Sequence, residues 1–207
     1  KDNFGIFELG MDRKGEIDNL SKIIKPNIGV ITNISYAHIK NFKNIKEIAL
    51  AKSEIIYNIK DNGHLILNAD DYFYNFHKKI ASKKNLNIIS FSMNNKNSDI
   101  SLNYVKKVKS KYKISIIINN ISKYFFLNTC FENDIKNLLA AVGIISVFKS
   151  IKEIDSNIFY DSKIPSGRGD ISKIKLFKKN FYLVDQSYNS NPLSLNSALK
   201  NFDMIDI

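Results

Sequence analysis

A single cysteine, Cys130, occurs in 207 residues, which excludes an internal disulfide and any thiolate-spaced metal site. Arginine is nearly as scarce. Of 31 basic residues only Arg13 and Arg168 are arginines, and the lysines that make up the net charge of +11 are spread along the chain beside Asn and Ile. Nucleic-acid surfaces cluster their charge and use the bidentate guanidinium, so no nucleic acid is expected as a partner. A diffuse basic field suits small anions such as nucleotides equally well. No apolar run approaches the ~18 residues of a membrane span, so none is expected. The first ten residues, KDNFGIFELG, lack the apolar core of a signal peptide. With no initiator Met, they read as a piece whose start lies upstream. A cytoplasmic location and a monomer are the expectations. What the chain does have is 44% apolar and 12% aromatic residues, ample for a packed core.

The apolar pattern alternates between two periods. Phe4 to Leu9 reads as a short buried strand ending in Glu8-Leu9-Gly10. Gly15 and Glu16 open a helix with Ile17, Leu20, Ile23 and Ile24 on one face, stopped by Pro26. Ile28 to Ile31 is a β-branched run of strand length. Thr32 and Asn33 break it into a polar loop carrying His38, and a helix follows from Ile45 to Ile59 with Lys52 inside it. His64 to Leu67 is a further strand. Asn68-Ala69-Asp70-Asp71 reads as a helix start with acids in its first turn, the helix running to about Lys84. Ile88 to Phe91 is the next strand. The order β-α-β-α-β-α-β predicts a mainly parallel sheet flanked by helices. From Met93 the texture changes, and residues 99–108, 112–119 and 122–128 predict an antiparallel meander, a second, smaller sheet. A helix is expected over 134–149 and a weaker one over 151–160. Pro165 to Gly169 is a linker-like break. Strands at 171–177 and 180–185, a loop at 187–192 and a helix at 193–204 complete the pattern.

Taken singly, the chemically able residues have ordinary roles. An acid such as Glu8 is commonly a solvated or paired surface group, His38 a loop histidine, and Lys52 a solvated helix lysine. Together they are more telling. Glu8 and His38 each follow a predicted parallel strand, so both belong at the carboxyl edge of one sheet, where open α/β folds place ligands. Lys52, one helix later, can point back to that edge. An acid and an imidazole there suit a hard divalent cation such as Mg²⁺, and the absence of nearby thiols argues against zinc.

Several stretches, in order, resemble the central domain of the Mur ligase family. They are Glu8-Leu9-Gly10-Met11 with Gly15-Glu16-Ile17, Thr32-Asn33-Ile34 with Ala37-His38 and Asn41-Phe42, and Ala51-Lys52-Ser53-Glu54-Ile55. Asn68-Ala69-Asp70-Asp71, Asn137 to Val142, Gly167-Arg168-Gly169 and Ser187-Tyr188-Asn189-Ser190-Asn191-Pro192 follow. The resemblance covers essentially the whole chain. It implies that residues 1–162 are an ATP-binding central domain and 163–207 the opening of a Rossmann-like C-terminal domain.

The implied chemistry is ATP-dependent amide synthesis, in which a carboxylate is phosphorylated and the acyl phosphate is attacked by an amine. The E-L-G-M-x-x-x-G-E-I and S-Y-N-x-N-P signatures favour the members that join D-alanyl-D-alanine to a UDP-N-acetylmuramoyl-tripeptide. The alternatives are another Mur or folylpolyglutamate-type ligase, or a non-catalytic nucleotide-binding remnant. By the same resemblance Glu8 and His38 hold two Mg²⁺ ions, and Lys52 is a third metal-binding group once CO₂ has converted it to a carbamate. Asn137, Arg168 and Asp185 contact ATP, and Asn189 and Asn191 contact substrate. The sequence departs from the family at Phe131-Glu132-Asn133-Asp134, where G-x-H-N is usual, and at Gln186, where an acid is usual. No G-x-x-x-x-G-K-[ST] occurs, so the P-loop is expected upstream of Lys1.

Overall fold

The computed structural model describes residues 3–35, 41–162, 165–188, 190, 195–196 and 198–199. The chain divides into two compact units, Lys1–Tyr160 and Asp161–Ile207.

In the first unit, α1 (Glu16–Ile24), β1 (Ile28–Ile31), α2 (Ile45–Asn58), β2 (His64–Asn68), α3 (Tyr74–Lys83) and β3 (Asn87–Ser92) alternate as the apolar periods predict. β4 (Ile100–Val108), β5 (Lys111–Ile118), β6 (Ile121–Leu127) and α4 (Glu132–Ser146) follow. The strands form one sheet in sequence order, β1 to β6. β1, β2 and β3 are parallel, and β4, β5 and β6 are antiparallel. The fold is therefore the expected α/β sheet with flanking helices.

Three details differ from the sequence reading. The meander is not a separate sheet, because Phe91 and Ser92 pair in parallel with Ile100 and Ser101 and carry the ladder across. Residues 4–10 are coil, with Ile6 96% exposed. An apolar run becomes a strand only where a neighbour takes up its backbone hydrogen bonds, and among the described residues none does. The segment 151–160 forms a 3-10 turn at Ile151–Glu153 and further turns instead of an α-helix.

Strand periodicity divides the core. Ile66, Phe91, Ile100, Ile114, Ile116 and Phe125 face α4 through Leu138, Leu139 and Val142. Ile31, Leu65 and Leu67 point to the other face, against Ile56 of α2, Ile59 just after it and Ala81 of α3. α1 packs on α2 through Ile17, Ile48 and Ala51, with Met11 and Phe42 closing the cluster. Polar groups fix this helix pair. Glu54 of α2 accepts from the backbone N–H groups of Gly15 at 2.8 Å and Asp18 at 3.0 Å, satisfying donors that the start of α1 leaves open. Gly15 adopts φ +89°, a conformation that favours glycine. α2 is capped in turn by Asn44, whose side chain accepts from Glu47 N.

Gly63, in the turn before β2, has no room for a methyl group. A Cβ there would lie 2.7 Å from the carbonyl oxygens of Asn27 and Lys60, both already accepting hydrogen bonds. Gly63→Ala is expected to lower unfolding stability by about 1–3 kcal/mol in urea titration, with β2 retained, the usual range for overpacking.

The second unit contains β7 (Asp170–Leu176) and β8 (Lys179–Asp185), paired antiparallel as the small two-stranded sheet. Of the predicted helix over 193–204, residues 195, 196, 198 and 199 are described and helical, and the rest lies outside the described residues.

Candidate functional site

The carboxyl ends of β1, β2 and β3 lie side by side, and the segment leaving β2 ties them together. Its sequence, Asn68-Ala69-Asp70-Asp71, is not the first turn of α3, which begins at Tyr74. Asn and Asp side chains compete with helix by bonding nearby backbone, and here they bond the neighbouring strand exits. Asp70 accepts from Ser92 Oγ at 2.5 Å and from Met93 N at 2.7 Å, at the end of β3. Asp71 accepts from Ile34 N at 2.7 Å, beyond the end of β1, and from Phe73 N at 2.8 Å. Asn68 donates from Nδ2 to the Thr32 carbonyl at 3.1 Å and accepts from Asp70 N at 3.0 Å.

Lys52 reaches the same loop from α2. Its Nζ donates to the Asn33 carbonyl at 2.9 Å. Burial pushes the ammonium below its usual range, and the charge of Asp71 pulls partly the other way. His77 of α3 is buried beneath, 1% exposed, and its Nε2 lies 3.1 Å from the Ala49 carbonyl of α2. A carbonyl only accepts, so Nε2 carries the proton. Burial lowers the His77 pKa, against the opposing pull of the Ala49 carbonyl and Asp71, so the ring is neutral at pH 7.

The residues singled out in the sequence are distributed as follows. Lys52 is at the β1 exit. Glu8 lies in the exposed coil of residues 4–10 and makes no hydrogen bond or ion pair among the described residues. His38, Asn189 and Asn191 lie outside the described residues. Asn137 is exposed on α4, across the sheet from α2. Asp134, one turn earlier, accepts from Thr129 Oγ1, and burial raises its carboxyl above the usual range. In the second unit, Gly167 and Gly169 take φ +77° and +103°, and Gly169 N donates to the Asp185 carbonyl at 2.6 Å. This turn holds Arg168 with its guanidinium 4.6 Å from the centre of the Tyr188 ring. Asp185 accepts from Ser187 N at 2.9 Å, and the Ser187 hydroxyl first, then this amide, hold its carboxyl below the usual range.

Among the described residues no three His, Cys, Asp or Glu side chains gather as metal donors. Among the described residues Lys52 bonds the Asn33 carbonyl and feels the charge of the Asp71 carboxylate, both acceptors. They fit an ammonium as it stands, and they fit a carbamate only with a cation interposed. Sequence reasoning missed Asn68, Asp71 and His77 as members of this site. The first two stood in plain view within the N-A-D-D run, but acids after a strand read equally well as a helix start.

The chain matches the family model of the Mur ligase middle domain over residues 1–145. It is 36% identical, over 95% of its length, to the UDP-N-acetylmuramoyl-tripeptide–D-alanyl-D-alanine ligase of Rickettsia prowazekii. It is 31% identical, over 98%, to the enzyme of that name from Buchnera aphidicola of Baizongia pistaciae. The chain spans 43% of the length of each of these relatives. Among solved structures, a MurF crystal structure from Acinetobacter baumannii superposes with a TM-score of 0.82 at 26% identity, covering 96% of this chain and 42% of that one. A mutant of L. casei FPGS shares the fold at a TM-score of 0.66 but only 14% identity, covering 90% of this chain and 44% of that one. The family-model match shows that this chain belongs to the Mur ligase family, with residues 1–145 corresponding to the family's middle domain.

Proposed function

We propose that the chain is the central part of an ATP-dependent ligase that joins D-alanyl-D-alanine to a UDP-N-acetylmuramoyl-tripeptide in the cytoplasm. The observation that carries this reading is the identity of 31–36%, over at least 95% of the chain, to relatives bearing that name. On this reading residues 1–162 form the ATP-binding domain and 163–207 begin the C-terminal domain. ATP with Mg²⁺ supplies the phosphoryl group and the charge neutralisation that brings two anions together. Glu8 and His38 are the proposed magnesium ligands, with Lys52 joining them as a carbamate. The lowered pKa of Lys52 supports this, because only the neutral amine reacts with CO₂. Asn137 is assigned to the adenine side, Arg168 and Asp185 to the nucleotide, and Asn189 and Asn191 to substrate. Arg168 suits phosphate because it is exposed and its guanidinium is a bidentate donor.

The test is phosphate release by the complete protein that carries this chain. Release should depend on ATP, the UDP-linked tripeptide and D-alanyl-D-alanine together. Release driven by a single amino acid in place of the dipeptide would favour another Mur or folylpolyglutamate-type ligase. Nucleotide binding with no turnover would favour a non-catalytic module. The isolated 207 residues are expected to ligate nothing, and measurable ligation by them would overturn the proposed division of labour.

A further inference from the structure

Three successive residues beyond β1 are each held by a different side chain. The Thr32 carbonyl is held by Asn68, the Asn33 carbonyl by Lys52 and the Ile34 N–H by Asp71. These side chains come from two elements, the exit of β2 and the middle of α2. Loops ordinarily owe their backbone hydrogen bonds to water or to their own turns. Here both carbonyls and the amide are fixed from outside, at the start of the segment that carries His38. The anchors are themselves secured. Asn68 is 3% exposed and accepts from Asp70 N, and Asp70 is stapled to β3 through Ser92 and Met93.

We infer that Asn68 and Asp71 are positioning residues that fix the course of the β1–α2 loop at Thr32 and Ile34. They act on the reaction only through that loop. The role in catalysis rests on the ligase reading above, whereas the tethers do not. Each anchor spans a gap between elements, and neither side chain bonds a backbone group inside β2 or α3. Asp71 divides its two oxygens, one on the loop and one on Phe73 N. Asn68 likewise uses its amide N–H for the loop and its oxygen for Asp70 N.

That division supplies selective variants. Asn68→Asp keeps the acceptor for Asp70 N and removes the donor to Thr32. Asp71→Asn keeps one acceptor oxygen, and Asp71→Ala removes both. Amide hydrogen exchange on the 207-residue chain should rise about tenfold or more at residues 32–35 in Asn68→Asp and Asp71→Ala, and less in Asp71→Asn, while β2 and β5 amides hold their rates. In the complete ligase the same two variants should lower kcat by about tenfold or more, with KM values for ATP and for the dipeptide within about twofold, since misplacement of a loop acts on reacting geometry. Unchanged exchange at 32–35, or an equal rise throughout the sheet, would overturn the tethers. Loosened exchange with wild-type kcat would reduce Asn68 and Asp71 to structural residues and overturn the positioning role. A wild-type protein that ligates nothing would remove the ligase reading and that role with it, while exchange still reads the tethers.

Discussion

Phe91→Ala is expected to cost about 3–5 kcal/mol of unfolding stability, the range for deleting a fully buried phenyl ring from a core that relaxes only in part. Phe91 is 0% exposed and lies where two kinds of sheet meet. Its strand pairs in parallel with β2 through Asn68 and with β4 through Ile100, and beyond β4 every pairing is antiparallel. The ring shares its cluster with Ile66 and Ile100 on the sheet and with Leu139 and Val142 on α4. A cavity there would loosen the helix and the strand junction together. The Phe91 carbonyl also accepts from Ala69 N at 2.7 Å, so a shift of β3 would reach the segment that ties the strand exits. With total stabilities of about 5–15 kcal/mol for domains of this kind, the loss is a large fraction of the whole. Urea unfolding followed by circular dichroism measures it, and Phe91→Leu should lose much less. A cost below about 1 kcal/mol for the alanine variant would mean that the junction is not packed as described.

The junction also marks where sequence reading stops short. The strands and helices were legible because their apolar periods are clean. β5 runs Lys111 to Ile118 with its turn at Asn119-Asn120, both at positive φ, as a tight hairpin requires. That β4 continues the parallel sheet was not legible, since nothing local distinguishes a strand that pairs with β3 from one that starts a new sheet. The two paired positions, Phe91 with Ile100 and Ser92 with Ser101, span a loop that any topology would tolerate. Phe4 to Leu9 shows the reverse failure. Its β propensity is real, but propensity does not supply a neighbouring ladder. Asn68, Asp70 and Asp71 were legible as polar residues at a strand end. Their partners, Thr32, Ile34, Ser92 and Met93, are 22 to 37 residues away in sequence and came only with the fold. Glu54 was visible inside A-K-S-E, yet its work is to cap α1, a role set by tertiary contact and not by that motif.

On the proposed ligase reading, replacing Lys52 with Met should lower ligation by the complete protein at least about a hundredfold, the scale of losing a charged group that stabilises a reacting centre. The same substitution has a readout independent of activity, because the Lys52 ammonium is partly desolvated. Its folded pKa lies below 10.5, so between the two values the unfolded chain binds more protons than the folded one. Stability therefore rises with pH across that window. The cost of holding the buried charge is fully present below the folded pKa and is gone above 10.5. Lys52→Met lacks this titration, so the stability of wild type relative to the variant should improve as pH climbs through the window in urea titrations. Asp71→Asn removes the charge that favours the ammonium and should move the lower edge of the window to lower pH. The same lowered pKa leaves more neutral amine for CO₂. The ammonium first gives one proton to solvent; the carbon of CO₂ then bonds to Nζ and a second proton leaves, so the side chain changes from cation to anion. Among the described residues its hydrogen-bond partner is the Asn33 carbonyl and the charge that acts on it is that of Asp71, and neither group can donate to the new oxygens. A ¹³C carbamate resonance from labelled bicarbonate is therefore expected with Mg²⁺ present, weak or absent without it, and absent in Lys52→Met. Equal intensity with and without Mg²⁺ would mean that those acceptors do not govern the group. No resonance in any condition would leave Lys52 as an ammonium tether for Asn33 and remove the carbamate from the proposed chemistry.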